Sequence, residues 1–241
     1  MARTTATKSA SPRTLAVDIG GTGTKALVLD PRGKPVTERV REETPRPATP
    51  AAVLAVVHRL IAKLPAFHRV SVGFPGVVVD GVTMSAPNLD PAWRGFDLAR
   101  ALAKRTRKPV RVLNDAGVQG FGIVQGRGVE VVLTLGTGMG CALFVDGRYV
   151  PNVELAHHPF SKGRTYEETV GNRALEDVGK KRWNKRVAKV LEQVDALFNP
   201  RVIYLGGGNT EHLRIALPEN VRVRSNVAGL TGGIALWNAP R

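Results

Sequence analysis

Short apolar blocks alternate with glycine- and proline-marked breaks along the whole chain. TLAVDIG (14–20) and KALVLD (25–30) read as β-strands, with PRGK (31–34) as the turn into a third, PVTERV (35–40). A proline-rich loop, ETPRPATP (43–50), ends on Pro50, which can open a helix. The apolar spacing of AAVLAVVHRLIAKL (51–64) fits 3.6 residues per turn. HRVSVGFPG (68–76) predicts a strand, DLARALAKRT (97–106) a short helix and PVRVLNDA (109–116) a strand with a polar end. The strand–turn–strand plan then returns in EVVLTLG (130–136), GCALFVD (140–146) and GRYV (147–150), with Asp146-Gly147 as a hairpin signal. Residues 166–198 read as helical with breaks at Gly171 and Gly179, and Asn199-Pro200 stops the run. RVIYLGGGN (201–209) and VRVRS (221–225) predict two more strands, and GLTGGIALW (229–237) a closing helix.

The order of these elements repeats. LAVDIGGTGTKALVLDPRGKPV (15–36) and VVLTLGTGMGCALFVDGRYV (131–150) share strand, Gly-Thr-Gly turn, strand, turn and strand. The repeat predicts two similar α/β units facing each other across a cleft. The expected boundaries are a basic tail over 1–14, a smaller unit over 15–114 and a larger one over 115–241. Glycine leaves the backbone bare, so each turn can aim N–H groups at an anion. Two such turns on opposite walls can hold one phosphate chain, and LGGGN after a third strand adds another.

Composition changes the picture in two ways. The formal net charge of +15, from 35 Lys and Arg against 20 Asp and Glu in 241 residues, attracts polyanions. The single cysteine, Cys141, excludes an intrachain disulfide and a Cys-rich zinc site, and favours a reducing, cytoplasmic setting. No apolar run reaches the roughly 18 residues of a membrane span, so no membrane partner is expected. The basic residues cluster in KRTRKPVR (104–111) and KKRWNKRVAK (180–189). In the second cluster Lys181, Lys185 and Lys189 form one helical stripe, a track for a long phosphate chain or a solvated face. Trp183, Val187, Val190 and Val194 take the inward face.

The motifs DIGGTGTK, VLNDA, LTLGTGMG, PNVELAHH and YLGGGN resemble those of the ROK family of sugar kinases, part of the actin/hexokinase superfamily. TPRPATP and NLDPAW bring the chain closest, within that family, to the polyphosphate glucokinases. The resemblance spans about Leu15 to Trp237 and implies two ribonuclease-H-like α/β domains. It implies transfer of a phosphoryl group from polyphosphate, and from ATP as an alternative donor, to the 6-hydroxyl of glucose. The other readings are an ATP-only hexose kinase acting on glucose or mannose, and a non-catalytic sugar- or polyanion-binding protein. A helix-turn-helix repressor has no room in the 14 residues before the first strand, so no specific nucleic acid is expected.

The resemblance assigns roles residue by residue. Asp115 becomes the general base, although by residue type it is equally a helix N-cap. Asn88, Asn114, Asp115, Glu154, His157 and Glu168 are the expected sugar contacts. Gly20, Gly21, Thr22, Gly23, Thr24 and Lys25 are the expected phosphate contacts of the first turn. Gly136, Thr137 and Gly138 are those of the second, and Gly207 and Gly208 those of the third loop. Asp18 is expected to help hold Mg2+ through water. Ala156 stands where the family has glycine, and His158 is a second histidine beside the favoured His157. The family's cysteine cluster is missing over 158–172, so no zinc is expected. Related enzymes imply a homodimer.

Overall fold

The computed structural model describes residues 12–224 and 228–237. Residues 1–11 of the expected tail lie outside them. The first half runs β1 (Thr14–Ile19), β2 (Gly23–Leu29), β3 (Val40–Glu43), α1 (Pro50–Ala62), β4 (Arg69–Phe74), β5 (Val78–Val79), β6 (Val82–Thr83), β7 (Phe96–Asp97), α2 (Leu98–Thr106) and β8 (Val110–Asn114). The second half runs α3 (Asp115–Phe121), β9 (Val129–Leu135), β10 (Met139–Val145), β11 (Arg148–Val150), β12 (Pro159–Ser161), β13 (Arg164–Thr165), α4 (Tyr166–Val170), α5 (Asn172–Phe198), β14 (Val202–Gly206), β15 (Val221–Val223) and α6 (Ala228–Thr231).

Two five-stranded sheets carry these elements, in the orders β3-β2-β1-β4-β8 and β11-β10-β9-β14-β15. In each, an antiparallel meander of three strands joins two parallel strands. The sequence repeat is therefore a structural repeat, strand for strand. The short ribbons β5-β6-β7 and β12-β13 are additions with too few residues to register as periodic patterns.

The helices form where the apolar spacing places them. Thr49 caps α1, its hydroxyl accepting the Ala52 N–H at 3.3 Å, and Pro50 occupies the first turn. Val53, Val57 and Leu60 of α1 pack on Leu15, Val17 and Ile19 of β1 in one core. Trp183, Val187, Val190 and Val194 of α5 pack on Val131, Leu133 and Leu205 in the other. Gly171 separates α4 from α5, and Gly179 (φ 72°, ψ 161°) kinks α5, as its two glycines predict.

The third strand lies further along than the 35–40 expected from the pattern. Pro35 makes only an isolated bridge to Leu29. The Thr37 hydroxyl then accepts the Val28 N–H at 3.3 Å, taking the donor that a strand carbonyl would need. Pairing with β2 resumes only at Val40–Glu43. The closing helix is also shorter than expected: four residues of α6 give way to a 3-10 run, Gly232–Trp237.

That final segment returns to the first sheet. The Ser71 hydroxyl of β4 donates to the Gly233 carbonyl at 2.5 Å and accepts the Trp237 indole N–H at 2.8 Å. The Trp237 ring sits between the guanidinium groups of Arg69 and Arg111, at 5.1 and 4.8 Å from its centroid. Arg111 also donates to the Leu236 carbonyl. The segment Gly232–Trp237 thus ties the second half of the described chain to the first sheet.

Candidate active site between the two glycine turns

Both glycine turns open on one cavity of about 550 Å3. The turns share a local plan: the Gly20 N–H donates to the Gly23 carbonyl at 3.2 Å, and the Gly136 N–H to the Gly138 carbonyl at 3.0 Å. Gly20, Gly21, Thr22 and Gly23 form one wall, Gly136, Thr137 and Gly138 another, and Gly207 and Gly208 a third. Asn209, nearly buried, donates its side-chain amide to the Gly136 carbonyl at 3.1 Å and so locks the third loop to the second turn. Gly207 has φ 93°, and a Cβ there would run into the Leu135 carbonyl, so only glycine fits.

Asp18 is the penultimate residue of β1, and Lys25 stands opposite it on β2. Their side chains pair at 3.1 Å, both partly exposed. Two strands away, β8 delivers Asp115 at the start of α3. Between them lies Gly73 of β4, where a Cβ would sit 3.3 Å from the Asp115 Cα and 3.8 Å from Asp18 Oδ1. A bare strand position therefore lets the two carboxylates flank one spot, a glycine role that only pairing across three strands makes visible.

The helix cap belongs to Asn114, not to Asp115. Asn114 Oδ1 accepts the N–H groups of Ala116 and Gly117 at 2.9 and 3.3 Å, and its amide donates to the Gly76 carbonyl at 3.3 Å. With the cap filled, Asp115 is left facing the cavity. Burial, reinforced by the negative charges of Asp18 and Glu154, pushes its carboxyl up from 3.8 to about 7. The Ala116 N–H, at 2.7 Å, opposes that shift. A carboxylate tuned near neutrality suits a proton acceptor.

Glu154, His157 and Glu167 also line the cavity. Burial raises the Glu154 carboxyl; His157, 3.7 Å away, pulls it down and Glu167 pushes it up. His157 lines the cavity, whereas His158 turns its Nδ1 to the Pro159 carbonyl at 2.9 Å. Ala156 is buried in the same 3-10 turn. Asn88 lines the rim beside Gly21.

Two expected site residues point elsewhere. Thr24 is fully buried, with its hydroxyl 3.5 Å from that of Thr44 behind the first turn. Glu168 is turned out of the main cavity by a capping box: it accepts the Thr165 N–H at 2.8 Å while the Thr165 hydroxyl accepts the Glu168 N–H at 3.2 Å. Its neighbour Glu167 takes the cavity wall instead and accepts the Met139 N–H at 3.2 Å. The sequence reading missed Glu167, although the run Glu167-Glu168 at a helix start marked the place. Lys181, Lys185 and Lys189 are exposed on α5, and none of them lines the cavity.

The ROK family profile matches residues 14–153 of this chain. This chain belongs to the ROK family. A relative from Mycobacterium leprae, a polyphosphate glucokinase, is 30% identical over 248 residues, covering 95% of this chain and 75% of its own. The crystal structure of an inorganic polyphosphate/ATP-glucomannokinase from Arthrobacter sp. strain KM superposes with a TM-score of 0.84 at 33% identity, covering 94% of this chain and 99% of that one. A ROK family glucokinase from Streptomyces griseus, solved with glucose and AMPPNP, gives a TM-score of 0.75 over 93% of this chain and 98% of that one. At 23% identity, that likeness shows the fold. The architecture is thus the two-lobed α/β fold of ROK kinases.

Proposed function

We propose that this ROK protein is a hexose kinase that transfers the terminal phosphoryl group of inorganic polyphosphate, with ATP as a second donor, to the 6-hydroxyl of glucose. The observation that carries this reading is the position of Asp115. Its carboxyl, pushed up to about 7, shares one cavity with two matched glycine turns. The named activities of the Mycobacterium and Arthrobacter relatives supply the substrate class.

Phosphoryl transfer needs in-line positioning, charge stabilisation and a proton acceptor. Asp115 takes the hydroxyl proton while the sugar oxygen forms its bond to phosphorus. The bridging P–O bond breaks, and the shortened chain, or ADP, leaves with the electron pair. The N–H groups of the glycine turns face the transferred phosphoryl group. Glu154, His157, Glu167 and Asn88 provide the mixed acceptors and donors that a ring of hydroxyls requires.

Mg2+ suits this donor set, because Asp18 offers one hard carboxylate at the cavity edge and Mg2+ keeps waters and phosphate oxygens as its other ligands. Bound there, the ion would neutralise charge on the donor phosphates.

A donor screen tests the proposal. Purified protein with glucose and Mg2+ should form glucose 6-phosphate with long-chain polyphosphate. Product from ATP alone would make it an ATP-only kinase, and product from neither donor would remove the catalytic reading.

A further inference from the structure

Three arginines lie near the first glycine turn, and none of them makes an ion pair with an acid among the described residues. Arg39 lines the cavity itself. Its wall holds two other basic side chains among the described residues, and both are engaged: Lys25 with Asp18 and His157 with Glu154. Arg41 and Arg46 lie just outside. Arg46 donates to the Gly21 carbonyl at 3.3 Å and Arg41 to the Thr22 carbonyl at 3.5 Å. The Arg41 guanidinium packs over Gly23, where a Cβ would stand 2.7 Å from its nitrogens.

The neighbouring acids leave these groups alone. Glu42 points to the other side of β3 and takes Arg59 and Lys63, at 2.8 and 2.9 Å. Glu43, which follows on β3, makes no ion pair with Arg41 or Arg46 among the described residues. All three arginines are exposed, so their charge is available to a ligand. The contacts of Arg41 and Arg46 to turn carbonyls, with Arg39 on the cavity wall, place the three along a strip running from the cavity over Gly21 and Thr22. Guanidinium groups suit phosphate oxygens, which they can bind in a fork.

We propose that Arg39, Arg41 and Arg46 form the exit track for the phosphate chain, binding the units behind the reactive end as the chain leaves the cavity over the first glycine turn. The inference rests on the polyphosphate-donor reading above and adds the direction in which the donor lies. It displaces the α5 lysine stripe as the principal track, because Arg39 lines the cavity and Arg41 and Arg46 hold the adjoining turn, whereas none of the three lysines lines the cavity. The track would confer preference for long chains, since a triphosphate is too short to engage both the cavity and the outer arginines.

The test is the triple variant Arg39→Gln, Arg41→Gln, Arg46→Gln. Dissociation constants for long-chain polyphosphate and for tripolyphosphate are measured over a range of salt concentrations, with circular dichroism to check folding. Long-chain affinity should fall at least about tenfold, and the advantage of long chains over tripolyphosphate should disappear. The slope of log affinity against log salt should flatten by about two, at roughly 0.7 per lost phosphate contact for three contacts. Equal losses for both chain lengths, an unchanged slope, or no binding of long chains to the parent protein would overturn the track. The donor reading is judged separately, by turnover of the parent protein with polyphosphate and glucose. Long-chain binding that the variant loses, without any turnover by the parent, would keep the track and discard the donor assignment.

Discussion

Asp115→Asn should inactivate this protein and stabilise it at the same time. The substitution keeps the shape and retains an oxygen for the Ala116 N–H, but it removes the proton acceptor. A positioned base contributes about 10²–10⁴-fold, so kcat should fall by that factor. The stability effect follows from the carboxyl being raised from 3.8 to about 7 in the folded protein. The unfolded chain gives up this proton near pH 4, whereas the folded chain keeps it until about pH 7. The stability this group contributes is therefore full below its unfolded pKa and is lost as pH rises through 7. At pH 8 the ionised carboxylate opposes folding by a few kcal/mol, at about 1.4 kcal/mol per pH unit of difference. Asparagine carries no such charge. Recovery of even about 2 kcal/mol would raise Tm by roughly 4–8 °C in a chain of this size. The assay is thermal unfolding of parent and variant at pH 5 and at pH 8, alongside steady-state kinetics. The variant's gain in Tm should be large at pH 8 and small at pH 5. The parent's kcat/KM should fall about tenfold per pH unit below 7. Near-normal turnover in the variant, or a gain in Tm that does not depend on pH, would refute the reasoning.

Trp237→Ala should destabilise the protein by roughly 2–3 kcal/mol in urea unfolding, because it removes the ring between Arg69 and Arg111 and the hydrogen bond to Ser71. Glu130 is fully buried; burial raises its carboxyl, but the N–H groups of Gln125, Gly126 and Arg127 outweigh that and hold it below its ordinary value. Glu130→Ala strands those donors and Arg201, 3.1 Å away, and should lose roughly 3–5 kcal/mol of stability. Because a lowered carboxyl stabilises above its unfolded pKa, that contribution in the parent should fade as pH falls through the folded value; an acid titration of unfolding free energy checks the sign. Replacing Lys181, Lys185 and Lys189 together by Gln should weaken long-chain polyphosphate binding less than the arginine triple variant does. A larger loss would move the principal track to α5.

The sequence by itself determined the elements and their duplication. Alternating apolar blocks mark strands through local side-chain periodicity, and glycine pairs mark turns through backbone conformation, so neither needs the rest of the fold. The inward face of α5 and its breaks at Gly171 and Gly179 were legible for the same reason. The tertiary structure decided what depends on direction and on distant partners. Asn114 and Asp115 are both plausible caps by type, and only the junction of β8 with α3 gives the cap to one and the cavity to the other. Glu167 and Glu168 differ by about 100° around a helix, so the choice of the residue that meets the second turn depends on how α4 docks. The hydroxyl of Thr37 moved the third strand by taking one N–H, a competition that a hydrophobic pattern does not contain. Gly73, the Trp237 clip and the three arginines acquire their roles from chain segments far away in sequence. Local periodicity fixes which face a residue takes within its own element; only packing fixes what that face meets.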